Sequence, residues 1–131
     1  MWFSKPERTM QTAAALGALA VIAGAFGGHA IDRFMPPSDI AVYQTAVKYH
    51  FWHALALLLI AIAQWRPPAS IWLARSALLF TVGCVLFSGS LYTLTLMNWR
   101  FLGIITPFGG LAFILAWLCL IPASKELIKH E

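Results

Sequence analysis

The sequence predicts an all-α integral membrane protein, a four-transmembrane-helix bundle with both termini cytoplasmic, and three observations carry that reading. Of 131 residues, 60% are hydrophobic and only 11% charged, and the mean hydropathy of +0.76 is far above that of an ordinary soluble domain. Four apolar runs each reach the ~20 residues that cross a hydrocarbon core ~30 Å thick. Lys and Arg gather on one side of those runs. The runs use most of the chain, so a single membrane domain over residues 1–131 is expected, with no room for a soluble catalytic module.

The first span is expected at about 9–31. Lys5 and Arg8 ahead of it give the outline of a signal peptide, but the run to Ile31 is too long for a typical signal core, so a retained helix is expected. The second, about 39–65, is anchored by the run Phe51 to Trp65, with Ser38 after Pro36 and Pro37 as its expected N-cap. Its first two turns exceed what the core needs and are expected in the head-group layer or in water. The third span is expected at about 70–97 and the fourth at about 99–121, stopped by Pro122. The connections PPSD, RPPAS and MNWR hold turn formers and charges.

Orientation follows from charge. Lys5, Arg8, Arg66, Arg75, Lys125 and Lys129 fall on the side of the termini and second loop, and Arg33, Lys48 and Arg100 on the other, which places the termini in the cytoplasm of a cell with this protein in its inner membrane. Arg75 can snorkel to the inner interface, while Trp65, Trp72 and Trp99 flank the loops as interfacial belts do. The net charge of +4 is scattered between apolar runs, without the basic stripe of a nucleic-acid binder. Cys84 and Cys119 lie inside apolar runs at no metal-type spacing.

The topology collects polar residues in one half of the membrane. His29 ends the first span, His50 and His53 belong to the second, Ser88, Ser90 and Tyr92 to the third, and Thr106 opens the fourth. Polar groups at membrane depth are costly unless paired, so these side chains are expected to face one another as an outer-half polar pocket for a small ligand, lipid or partner helix. His50 and His53 are one turn apart, and with His29 they offer three imidazoles suited to Zn or Cu, with Asp32 or Asp39 as a carboxylate. The structural alternative is that each histidine bonds a hydroxyl or carbonyl and pins two helices. A proton or small-solute passage would use the same residues, but no Asp or Glu lies within the apolar core of a span.

Ala20, Gly24 and Gly28 recur every four residues in the first span and predict close helix contact, within the bundle by default or between copies. In TPFGG, Thr106 to Gly110, Pro107 removes the hydrogen bond to the Gly103 carbonyl, so a kink is expected there. No Walker loop, nucleophile elbow, HExxH or paired carboxylate appears, so no catalytic residue is assigned.

The motifs GAFGGHA (Gly24 to Ala30), QTAVKYHFWHALALLL (Gln44 to Leu59), LFSGSLY (Leu86 to Tyr92) and TPFGG, followed by Trp117, touch all four spans. Together they resemble the domain of unknown function 423 family, small inner-membrane proteins of the YgdD and YwdK type. The resemblance implies a four-span membrane protein and brings no activity, substrate or cofactor. The combined expectation is a non-enzymatic membrane component without a required cofactor. Its surroundings are the lipid bilayer, with a second copy or a partner membrane protein as further candidates.

Overall fold

The computed structural model describes residues 1–129 and holds four helical segments long and apolar enough to cross a membrane: Pro6–His29, Pro37–Gln64, Ile71–Leu96 and Arg100–Ile128. No strand occurs among the described residues.

Helix α1 (Pro6–His29) starts on a proline, whose missing N–H is harmless in a first turn, with Glu7 beside it where the helix dipole favours an acid. A 3-10 turn at Trp2–Ser4 precedes it and buries Phe3; another at Ile31–Arg33 follows and buries Ile31. Helix α2 (Pro37–Gln64) has 28 residues and is therefore about 42 Å long. The expected cap at Ser38 is corrected: extended Pro36 precedes the helix, Pro37 is its first residue, and Ser38 lies inside the first turn. The proline ring presets the helical φ there, so a side-chain cap is not required.

The third span is not one uninterrupted α-helix. Helix α3 (Ile71–Gly83) opens with the Ser70 hydroxyl accepting a hydrogen bond from the Leu73 N–H at 3.3 Å. A π turn at Cys84–Ser88 then leads into α4 (Gly89–Leu96). Such turns are rare and concentrate where a helix meets a special neighbour. Asn98, at φ 56°, takes the left-handed conformation that asparagine tolerates and turns the chain into a 3-10 segment, Arg100–Ile104.

Helix α5 (Thr106–Ile128) corrects two expectations. Pro107 does not kink a helix at Gly103; it occupies the first turn of α5, where no N–H is needed, while Gly103 belongs to the preceding 3-10 segment. Pro122 does not stop the helix, which continues through it to Ile128. Within membranes such prolines are accommodated by neighbouring groups and local adjustment.

Helix α1 packs chiefly on α2, and α5 chiefly on α3 and the π turn, so α2 and the third span form the central pair. Phe3, Ile60, Leu73 and Ala123 share one apolar cluster, which places the N-terminal turn and the last turns of α5 at the same end. A second cluster of Ile31, Met35 and Tyr43 closes the opposite end. The small residues of α1 serve this packing differently from the expected Ala20, Gly24 and Gly28 series. Ala20 is buried and Gly24 faces Val47, but Gly28 has open space beyond it. Gly27 instead makes the tight approach, since a Cβ there would sit 2.8 Å from the Tyr43 ring. Tyr43 is held in place by donating its hydroxyl hydrogen to the Ala23 carbonyl at 2.5 Å.

Candidate functional site

The polar residues of the spans resolve into separate pairings rather than one pocket. His53 is 5% exposed, and its ring lies nearly parallel to Phe113, with centroids 3.7 Å apart. Its Nδ1 is 2.6 Å from the Tyr49 carbonyl, which can only accept, so Nδ1 carries the proton. Nε2 is then the acceptor, and Trp117 Nε1–H donates to it at 3.2 Å. Both ring nitrogens are used, and His53 pins α2 to α5.

Ser88 donates to the Ala46 carbonyl at 2.8 Å and ties the π turn to α2. Ser90 and Thr106 join their hydroxyls at 2.6 Å, linking α4 to the start of α5, and Ser90 also donates to the Phe87 carbonyl at 2.9 Å. These hydroxyls satisfy one another and the backbone, as groups in hydrocarbon must.

His29 stands apart, exposed at the end of α1. The expected three-imidazole centre is therefore corrected: His29 is exposed, His53 has both nitrogens engaged, and no group of three His, Cys, Asp or Glu suited to a metal forms among the described residues. Asp39 is also committed elsewhere. Arg100 grips it with two hydrogen bonds, Nη1 to Oδ1 at 2.9 Å and Nη2 to Oδ2 at 2.5 Å, while Asn98 Oδ1 accepts from Arg100 Nε at 2.7 Å. This fork joins the start of α2 to the loop after α4.

His50 differs from the rest. It is 5% exposed, its Nδ1 is 2.9 Å from the Tyr92 hydroxyl, and its Nε2 is buried without a hydrogen-bond partner among the described residues. It also lines a groove of about 560 Å³ between α1 and the third span. Leu16, Leu19, Ile22 and Phe26 form one wall, and Val85, Gly89 and Leu96 the other, so apart from His50 and Tyr92 the lining is apolar. The groove follows from the packing: α1 leans on α2 and leaves the π turn and α4 uncovered on that side. The polar pocket expected from the sequence is thus an apolar groove with one polar pair in it.

Four apolar helices whose internal polar groups are nearly all paired define an integral membrane protein of the helical-bundle class. The chain belongs to the DUF423 family, described as "Protein of unknown function (DUF423)", which it matches over residues 23–110. It is 39% identical over 110 residues to the UPF0382 membrane protein YwdK of Bacillus subtilis, covering 84% of this chain and 89% of that one. To the UPF0382 inner membrane protein YgdD of Escherichia coli K12 it is 37% identical over 123 residues, covering 91% and 93% of the two chains. A UPF0382 membrane protein of Staphylococcus haemolyticus is 40% identical over 117 residues. No solved structure matches the chain. The stretch matched to the family holds His50, Tyr92 and the Asp39–Arg100 pair.

The sequence did not reveal the Asp39–Arg100 fork, the π turn or the Trp117 donor. Two opposite charges in loops on the same side were the available signal for the fork. The π turn left none, because CVLFS reads as ordinary apolar helix.

Proposed function

We propose that this protein is a non-enzymatic component of the cell inner membrane, a single membrane domain over residues 1–131, whose groove between α1 and the third span holds the chain of a membrane-dissolved amphiphile. The observation that carries the reading is the groove's extent along α1. From Leu16 to Phe26 it follows ten residues of helix, about 15 Å, which is half of a ~30 Å hydrocarbon core. One leaflet's worth of chain fits that length. The excess of Lys and Arg at the end bearing the termini supports a cytoplasmic position for that end, and so an outer-leaflet position for the groove.

Small-solute passage is disfavoured by the other half of the bundle, where Leu57, Ala77, Phe80 and Ala116 are wholly buried against one another. Photo-crosslinking tests the groove reading. The purified protein in nanodiscs containing a phospholipid with a diazirine in its acyl chain should be labelled on Leu19, Ile22 and Val85 well above other lipid-facing residues such as Leu115. Uniform labelling of all faces would remove the reading.

A further inference from the structure

Helix α1 carries a second concave face on its other flank, and this one changes character along its length. Met10, Ala14, Gly17, Val21, Gly24 and Gly28 recur every three or four residues and so share one side of α1. On α2 the facing residues Gln44, Lys48, Phe51, Leu55 and Leu58 keep the same spacing. Together they make one furrow along the seam of the two helices. Its course from Met10 to Val21 encloses about 330 Å³ and is lined by apolar side chains alone. Its outer end, floored by Gly24, Gly27 and Gly28, encloses about 270 Å³ and carries Gln44 and Lys48. A Cβ at Gly17 or Gly28 would meet nothing within 4 Å, so these glycines leave open space rather than make a helix contact.

Lys48 marks the level of the outer end. It stands 16 residues, about 24 Å, from Gln64 at the close of α2. Gly24, whose Cβ would meet Val47 at 3.5 Å, stands the same 16 residues beyond Arg8 on α1. Both helices therefore cross most of a ~30 Å core between Arg8 and Arg66 at one end and Lys48 at the other, and the lysine stem is long enough to bring its ammonium to the outer phosphates.

The charge of the furrow selects its occupant. Lys48 is exposed, and Asp39–Arg100 is the only ion pair among the described residues, so no carboxylate neutralises Lys48 there. None of the residues lining the furrow is acidic. An anion at the outer end and a hydrocarbon chain below it is the order of groups in a phospholipid. Two rivals fit less well. A zwitterionic headgroup would bring a second cation beside Lys48 with no acid in the furrow to receive it. A second copy of the chain, packed on this face about a twofold axis along the membrane normal, would set two Lys48 side chains at one level. We propose that the furrow binds an anionic phospholipid, its phosphate accepting from Lys48 Nζ–H and the Gln44 amide N–H, with one acyl chain lying between α1 and α2.

The test uses the full-length protein in phosphatidylcholine nanodiscs doped with phosphatidylglycerol or phosphatidylcholine carrying the same acyl-chain diazirine. The phosphatidylglycerol probe should label Val21 and Leu55 about tenfold more than the phosphatidylcholine probe, the value of one charge-assisted hydrogen bond. Lys48→Gln should abolish that preference and Lys48→Arg should keep it; Lys48 is exposed, so neither change disturbs the packing. Gly17→Phe, which fills the apolar course, should lower the labelling of Leu55 by both probes. Equal labelling by the two probes in the wild type, or a phosphatidylglycerol preference that survives Lys48→Gln, would overturn the assignment. Protection of Val21 and Leu55 from both probes, together with a dimer in light scattering, would give the furrow to a second copy instead. None of these outcomes bears on the groove beside α4, which is read at Leu19, Ile22 and Val85.

Discussion

Gly109 of α5 meets the backbone of Phe87 in the π turn so closely that a Cβ at Gly109 would sit 2.7 Å from the Phe87 Cα. Backbone cannot move aside as a flexible side chain can. Gly109→Ala is therefore expected to destabilise the protein by about 1–3 kcal/mol, the usual range for overpacking. Gly110→Ala should be nearly neutral, because its Cβ would meet Phe87 at an ordinary 3.8 Å. Thermal unfolding in detergent separates the two, and equal midpoints would show that the helices do not approach as described.

The Asp39–Arg100 fork predicts a different pattern. Asp39→Asn keeps the size of the side chain but loses the charge that both Arg100 nitrogens engage, and Arg100→Lys loses the planar two-pronged geometry. Both should increase proteolytic cleavage in the loop 97–105 while leaving the opposite loop, 65–70, unchanged. Restoring a pair by exchanging the two residues should recover less than the native arrangement, since the reversed charges would have different reach. Cleavage of both loops alike would show that the fork does not fasten this end.

His53 depends on Trp117 for its second hydrogen bond. Trp117→Phe keeps an aromatic ring but leaves a buried Nε2 acceptor unpaired, at a cost of about 1–3 kcal/mol. The 15N resonance of His53 Nε2 should shift while that of His50 stays in place. A shift at His50 alone would contradict the separate pairings found for the two histidines.

Topology is tested by single cysteines introduced at Ser4 and at Asn98 in a chain with Cys84 and Cys119 replaced by alanine. In intact cells a membrane-impermeant maleimide should label position 98 and spare position 4 until the membrane is broken. The reverse result would invert the bundle, and the groove would then face the cytoplasmic leaflet.

Much of this fold was legible in the sequence because length and hydropathy alone select four spans, and PPSD, RPPAS and MNWR mark where they end. Helix rotation was not legible. Apolar residues surround each helix, so no polar stripe tells which side of α2 faces α5 and which faces α1, and the histidines could only be grouped by depth. That is why His50 and His53, one turn apart, were expected at one site and instead bond different neighbours, Tyr92 of α4 and Trp117 of α5. The TPFGG run shows the same limit: its proline was expected to kink a helix, whereas Pro107 lies in the first turn of one and Gly109 admits the Phe87 backbone. The Asp39–Arg100 pair, 61 residues apart, becomes visible only when the loops are placed side by side.

The groove beside Gly89 is proposed to hold a chain. Gly17 provides the matched control, because a Cβ there also meets nothing within 4 Å, but it lines a separate groove with Met10, Ala14 and Phe51. The most direct measurement is native mass spectrometry of the lipid or other amphiphile retained after gentle detergent extraction from cells, compared between Gly89→Phe and Gly17→Phe. Gly89→Phe should retain one bound molecule fewer than the wild type, and should do so again when added to Gly17→Phe. Equal retention in Gly89→Phe and the wild type, or none in the wild type, would contradict the claim.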